Sequence, residues 1–387
     1  MKRSEGRSFL DALIYNIASL HSTAAPTYPT ERQRHMADEL VALAPGTRVS
    51  GRWTILKKLG AGAFGAVYLC KDGKGTVAAL KTEPIDTRQP LLVMEATVLR
   101  ALGNKLQNAD GQHFCRLLDL GRMNNGMLRL EETQCSTTFM TVVGTPLGRL
   151  VRDAGDRFSP GTAIGVSIQL LSAIKALHNV GFLHRDIKPA NTAIGRVETN
   201  EHRLLYLIDF GMARQFLRPD GTQRRPRASA NFRGTPIYAP ISAHIKRDYS
   251  RKDDVESWFY VMVKFYKGAV PWKFANDVKE IGRMKCRRME EQPDEIRQQA
   301  ITELIGGCPP EFTQILAHID GLQLEDRPNY EMIETMLREH LTRSRVPEHP
   351  YDWELGRRNA MAQAQSEAAR RKKDNTKGGG GKNNTQG

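Results

Sequence analysis

Two hydrophobic periods divide this chain, and their order narrows its architecture. From Arg52 to Glu83 the sequence runs as short β-rich stretches. Val67 to Leu69 and Val77 to Leu80 are parted by the turn-forming KDGKG. From QPLLVMEATVLRAL onward the apolar residues fall at steps of three and four, first at Leu91, Met94, Val98 and Leu102. SPGTAIGVSIQLLSAIKALHNVG then reads as a capped helix. Ser159 suits its N-cap, Pro160 its first turn and Gly181 its end, with Ile164, Ile168, Leu171 and Ile174 as the apolar stripe. DDVESWFYVMVKFYKG reads as a second apolar helix. Strands first and helices afterwards predict an α+β chain, with a small β-rich lobe before a larger helical one.

The chain has 387 residues, enough for two sizeable cores. No stretch approaches the roughly 18 apolar residues of a membrane helix, so no membrane span is expected. The opening MKRSEGRSFLDALIYNIASLH is interrupted by Asp11 and Asn16 and is read as an arm or amphipathic helix rather than a leader. Five scattered cysteines form no C-x-x-C pair, which points to a reducing compartment. The net charge of +14 is concentrated in two places. Residues 209–252 carry ten Lys/Arg against three Asp/Glu, and residues 356–387 carry eight against two.

Four motifs stand in order. LGAGAFGAV (Leu59, Gly60, Ala61, Gly62, Ala63, Phe64, Gly65, Ala66, Val67) lies between two strands. Its glycines allow backbone amides to approach a triphosphate. A dinucleotide site would place such glycines before a helix, but here a strand follows. Lys81 ends VAALK and suits the α- and β-phosphates of ATP, and Glu95 in the next helix can orient it. HRDIKPAN supplies Asp186 to take the proton of an acceptor hydroxyl and Lys188 to neutralise developing charge. Asn191 offers an oxygen to a metal ion. IDFG brings the Asp209 carboxylate out of an apolar strand, a good ligand for Mg2+ beside phosphate oxygens.

Together these segments resemble the eukaryotic protein kinases over Arg52 to Leu341, and Lys188 within HRDIKPAN is the serine/threonine form. HRDIKPANTAIG, DFGMARQF, RGTPIYAPISAH, RKDDVESWFY and GAVPW are similar to the casein kinase 1 group. NFRGT and DVKEIGRMK lean toward its tau-tubulin kinase branch. The resemblance implies the bilobal kinase fold, ATP and Mg2+ as cofactors, and transfer of the γ-phosphoryl group to Ser/Thr. It also implies Met140 at the back of the adenine pocket and a hinge at Thr141 to Val143. Thr235 is expected to bond Asp186 and Lys188.

Two departures bear on activity and substrate. The usual A-P-E ending reads Ala239, Pro240, Ile241, so the expected glutamate is missing. The casein kinase 1 group lacks it too, and Arg327 in EDRPNY is the arginine whose partner would be lost. Ile237 stands where a phosphate-reading arginine is expected, which weakens the need for a primed substrate. Arg233, Lys246 and Arg247, within the basic region, are the candidate readers of acidic or phosphorylated protein substrates. Thr222 and Ser229 are candidate phosphorylation positions facing Arg185.

The expected organisation is an N-terminal extension at 1–50, a kinase domain at 51–343 (N-lobe about 51–143, C-lobe about 144–343) and a disordered basic tail at 344–387. That tail suits anchoring to polyanions. It has no aromatic residue after Trp353, so no specific nucleic-acid reading is expected. The location expected is the cytoplasm, with the nucleus as an extension. Two other readings compete: a catalytically weak scaffold using the same fold, and a polyanion- or microtubule-binding protein.

Overall fold

The computed structural model describes residues 43–62, 65–84, 91–106, 109–124 and 134–356. Six strands form one antiparallel sheet: β1 (Arg48–Val49), β2 (Trp53–Gly62), β3 (Gly65–Lys71), β4 (Val77–Pro84), β5 (Leu117–Asn124) and β6 (Gln134–Thr141). Their spatial order is β1-β2-β3-β4-β6-β5. Trp53 stacks on Phe139 with ring centroids 5.0 Å apart, and Ile55, Tyr68 and Leu80 close the core on that face. β2 and β3 turn back at Gly62 and Gly65, which pair with each other. Gly65 has φ +151°, and a Cβ there would lie 1.8 Å from the Thr82 carbonyl oxygen. Only glycine permits so close a strand approach.

Helix α1 (Leu91–Lys105) packs against this sheet. Its buried face carries Leu92, Glu95, Ala96, Val98, Leu99 and Leu102. Leu91 and Met94, expected on the apolar stripe, are only half-buried. The helix is rotated so that a carboxylate, Glu95, faces inward.

The larger lobe follows: α2 (Leu147–Asp153), α3 (Pro160–Val180), α4 (Ile241–His244), α5 (Arg251–Lys267), α6 (Val278–Cys286), α7 (Asp294–Ile305), α8 (Pro310–Gly321) and α9 (Tyr330–Arg343). In α3, Ser159 accepts from the Thr162 amide and Gly181 ends the helix at φ +101°, as the sequence predicts. By length and composition α3 could cross a membrane, but it is buried almost throughout and forms the centre of this lobe. α5 packs along it, begins with a capping box of Ser250 and Asp253, and stops at Gly268. Short strands β7 (Phe182–Leu183), β8 (Thr192–Ile194), β9 (Leu205–Leu207) and β10 (Arg214–Gln215) frame the loops between them.

The packed domain continues past the expected tail boundary at 344. Tyr351 and Trp353 are buried in the lobe. The Asp352 carboxylate accepts from the Ser159 hydroxyl at 2.6 Å and the Thr162 hydroxyl at 3.0 Å. Burying two aromatic rings offsets the entropy that composition alone assigns to this stretch. Residues 1–42 and 357–387, with most of the expected extension and tail, lie outside the described residues.

Candidate active site

Lys81 lies on β4, paired with Val67 on β3 and Thr138 on β6. Its ammonium meets both oxygens of Glu95, at 2.8 and 2.9 Å, and lies 3.9 Å from the Asp209 carboxylate. Burial opposes the charge on Lys81, but the carboxylates of Glu95 and Asp209 outweigh it and hold its pKa above that of an ordinary lysine. The inward turn of α1 thus places a fixed positive charge between the lobes.

The catalytic loop is anchored from below. His178 on α3 bonds the Asp254 carboxylate at 2.9 Å. That carboxylate also accepts the backbone amides of His184 at 2.7 Å and Arg185 at 2.8 Å. Burial resists ionisation of Asp254, yet the His178 and amide donors prevail and its pKa is lowered. Arg185 adopts φ +68° and Asp209 φ +66°. Left-handed backbone at a non-glycine residue costs about 1–3 kcal/mol and persists where the surroundings over-determine it. At Arg185 the two bonds around Asp254 supply that constraint.

Asp186 is 7% exposed and receives donors on both oxygens. Oδ2 accepts from Lys188 Nζ at 2.7 Å and Asn191 Nδ2 at 3.1 Å. Oδ1 accepts both the amide and the hydroxyl of Thr235, each at 2.9 Å. The Thr235 contact expected with Asp186 is present, and Lys188 bonds the other oxygen of the same carboxylate. Asn191 Nδ2 also donates to the Asp186 carbonyl at 3.0 Å, while its Oδ1 is buried with no protein partner. An orphaned buried amide oxygen is donor chemistry that suits a magnesium ion, although Asn191 is not among the residues lining the cavity that holds Asp209.

Asp186, Lys188, Lys81, Glu95 and Asp209 line one cavity of ≈ 140 Å³ under Gly65 and Val67. A second cavity joins it through Val67, Lys81 and Asp209. Its walls are apolar, with Leu59, Met140 and Val143 among them, and Thr141 and Val142 pass along its edge. An apolar lining beside a charged one suits a base beyond a chain of phosphates. Gly60, Ala61 and Gly62 end β2, while Ala63 and Phe64 lie outside the described residues.

Part of the basic region is committed to partners within the fold. Arg214 and Arg227 both bond the buried carboxylate of Asp248, and Arg251 and Lys252 bond the carbonyls of Glu325 and Leu322. Arg233 lies close enough for its charge to act on Arg185. Lys246 and Arg247 are exposed, and the Lys246 carbonyl accepts the Ala230 amide, which brings these two parts of the basic region together. The Arg185 guanidinium donates to the carbonyls of Met212 and Ala213.

The expectation for Arg327 fails. It is exposed, 3.7 Å from Glu331 on the surface. The buried arginine is Arg288, bonded to Glu256 at 3.1 Å and Asp320 at 2.9 Å. Glu256 also accepts the Ile241 amide at 3.2 Å, so a carboxylate reaches the A-P-E position from α5. Sequence reading missed Asp254, Glu256, Lys285 and Arg288. Adjacent acids before an apolar run read as ordinary helix-start charges, and the apolar run itself was the only signal that they would be buried.

A protein kinase domain model matches residues 53–340. A probable serine/threonine-protein kinase of Dictyostelium discoideum is 36% identical over 321 residues, covering 81% of this chain and 59% of that protein. The serine/threonine-protein kinase spe-6 of Caenorhabditis elegans is 32% identical over 311 residues, 78% of this chain and 76% of its own length. The chain therefore spans less than two thirds of the Dictyostelium relative. With two converging carboxylates, a paired lysine and this match over most of its length, the chain belongs to the protein kinase family and carries a kinase domain of the serine/threonine class.

Proposed function

We propose that the domain transfers the γ-phosphoryl group of ATP to serine and threonine side chains of acidic protein segments, in the manner of the casein kinase 1 group. The observation that carries this reading is the shared cavity of Asp186, Lys188, Lys81 and Asp209. The adenine would lie against Leu59, Val67, Met140 and Val143, with Lys81 on the α- and β-phosphates and Glu95 holding Lys81 in place. Asn191 and Asp209 would hold magnesium, which when bound neutralises phosphate charge and orients the leaving oxygen. Asp186, fixed by Thr235 and Lys188, accepts the acceptor's proton as the new O–P bond forms. The bond to the β-phosphate oxygen breaks and ADP leaves.

Arg233, Lys246 and Arg247 are the proposed readers of acidic residues near the acceptor. The apolar Ile237 favours a relaxed requirement for a priming phosphate. The tau-tubulin kinase branch rests on NFRGT and DVKEIGRMK alone. A peptide array with magnesium and ATP tests the substrate class: acidic peptides should be turned over faster than basic ones, and equal turnover would rule the preference out. Deleting residues from Arg357 onward tests the proposed polyanion anchoring; peptide phosphorylation should persist while salt-sensitive binding to a polyanion falls.

A further inference from the structure

Lys285 is a charged side chain that the site described above does not use. It sits near the end of α6 and is 1% exposed. Its ammonium meets three backbone carbonyls: Pro236 at 2.9 Å, Ile237 at 3.1 Å and Ala239 at 2.5 Å. These belong to the segment that begins with Thr235, the residue whose amide and hydroxyl grip Asp186. An ammonium has three protons and no acceptor site, so each carbonyl can take one. The rings of Tyr260 and Trp272 lie 4.7 and 4.8 Å from the same nitrogen and favour a cation there. Trp272 Nε1 adds a further donor to the Ile237 carbonyl at 2.8 Å. Gly282, one turn earlier on α6, lets the helix lie against His244; a Cβ would stand 3.0 Å from that ring.

We propose that Lys285 is a positioning residue for phosphoryl acceptance: it fixes the backbone of Pro236–Ala239, and through it the contact between Thr235 and Asp186 and the groove wall formed by Ile237 and Tyr238. That groove, of ≈ 230 Å³, runs from Lys188 and Thr235 toward Val270 and Lys273. Three carbonyls converge on the Lys285 nitrogen, so the segment cannot swing away without stranding all of them; burial works against the charge there and lowers its pKa, while the carbonyls and the two rings act in the opposite sense. Glu256 holds the next free amide, at Ile241, so the segment is tied at carbonyls and amide alike. Being wholly committed to carbonyls, Lys285 offers no charge to the substrate.

The inference rests on the phosphotransfer reading, and its test separates the two. Lys285→Met keeps the length and loses the donors. The peptide KM should rise at least tenfold with the ATP KM within twofold, and hydrogen exchange at the amides of Tyr238 and Ala239, both bonded to the Thr235 carbonyl, should speed up selectively. Trp272→Phe, which keeps a ring and removes one donor, should move the peptide KM the same way by about threefold; it carries the test if Lys285→Met fails to fold. Equal changes in both KM values, or unchanged exchange at Tyr238 and Ala239, would overturn the inference. If the unaltered protein phosphorylates no peptide, the phosphotransfer reading fails, and the exchange measurement still decides the role of Lys285.

Discussion

The Glu256 carboxylate on α5 accepts the backbone amide of Ile241 at 3.2 Å, at the position where this family ordinarily carries a glutamate of its own. The Tyr260 hydroxyl and Arg288 Nη2 donate to the same oxygen, Arg288 Nε and Nη2 donate to Asp320, and Nη1 donates to the Tyr260 hydroxyl. The anchor between the substrate segment and the lobe is therefore kept, with its anion supplied by the helix below. Removing one member of a buried ion network leaves the others uncompensated, at a cost of about 3–5 kcal/mol. Arg288→Met should lower the melting temperature by several degrees. Arg327→Ala, on the surface, should change stability by less than about 0.5 kcal/mol. Equal effects of the two substitutions would contradict this assignment.

Asp186→Asn preserves the shape of the catalytic loop and removes the proton acceptor. Positioned acid–base groups contribute about 10²–10⁴-fold, and kcat for peptide phosphorylation should fall by that order while the ATP KM stays within a few-fold. Steady-state kinetics at saturating ATP checks this. Retention of near-normal turnover would favour a different acceptor base.

The Thr235 hydroxyl donates to a charged carboxylate, a class of bond worth about 1.5–3 kcal/mol. Thr235→Ala should reduce kcat/KM for peptide by roughly 10–100-fold. Thr235→Ser keeps the hydroxyl and should recover most of that loss. Failure of serine to recover more than alanine would show that the methyl group, not the hydroxyl, matters.

Asp248 is held between Arg214 and Arg227. Burial works against its ionisation, but the two guanidiniums and the Arg227 amide prevail, and its pKa lies well below the carboxylate range. A depressed folded-state pKa contributes stability above the unfolded value, near about 4, and that contribution is lost as pH falls below it toward the folded value. Asp248→Asn should therefore melt lower than the unaltered protein at pH 7, with the gap narrowing below about pH 4. A gap independent of pH would show that shape rather than charge holds this loop.

Substitution at Lys81 tests the nucleotide side. Lys81→Met removes the cation between Glu95 and Asp209 and leaves Glu95 buried without its partner. ATP affinity should fall at least tenfold, measured by nucleotide titration, and stability should fall with it.

The residues proposed to handle phosphate were legible in the sequence because each motif is local. Glycines at fixed offsets, a lysine ending a strand, and Asp186, Lys188 and Asn191 within one loop are each recognised inside a single short segment, whatever the rest of the chain does. The order of strands and helices likewise followed from period alone. The substrate segment was less legible. The absent glutamate at Ile241 was visible, yet its replacement lies fifteen residues on in sequence and its arginine, Arg288, a further thirty-two. The sequence favoured Arg327 because an isolated arginine shows nothing of its depth.

The sequence by itself determined the lobes, the motifs proposed to face ATP, and the match of the catalytic loop to the serine/threonine form. Only the tertiary structure decided which charges are buried and with whom: Asp254 beneath the catalytic loop, Asp248 between two arginines, Lys285 beneath three carbonyls. Burial is a property of packing between distant segments, and in low dielectric it turns an ordinary surface charge into one that must be paired. The helical period of α5 signals a buried face, but it carries no information on which carbonyl or guanidinium that face will meet.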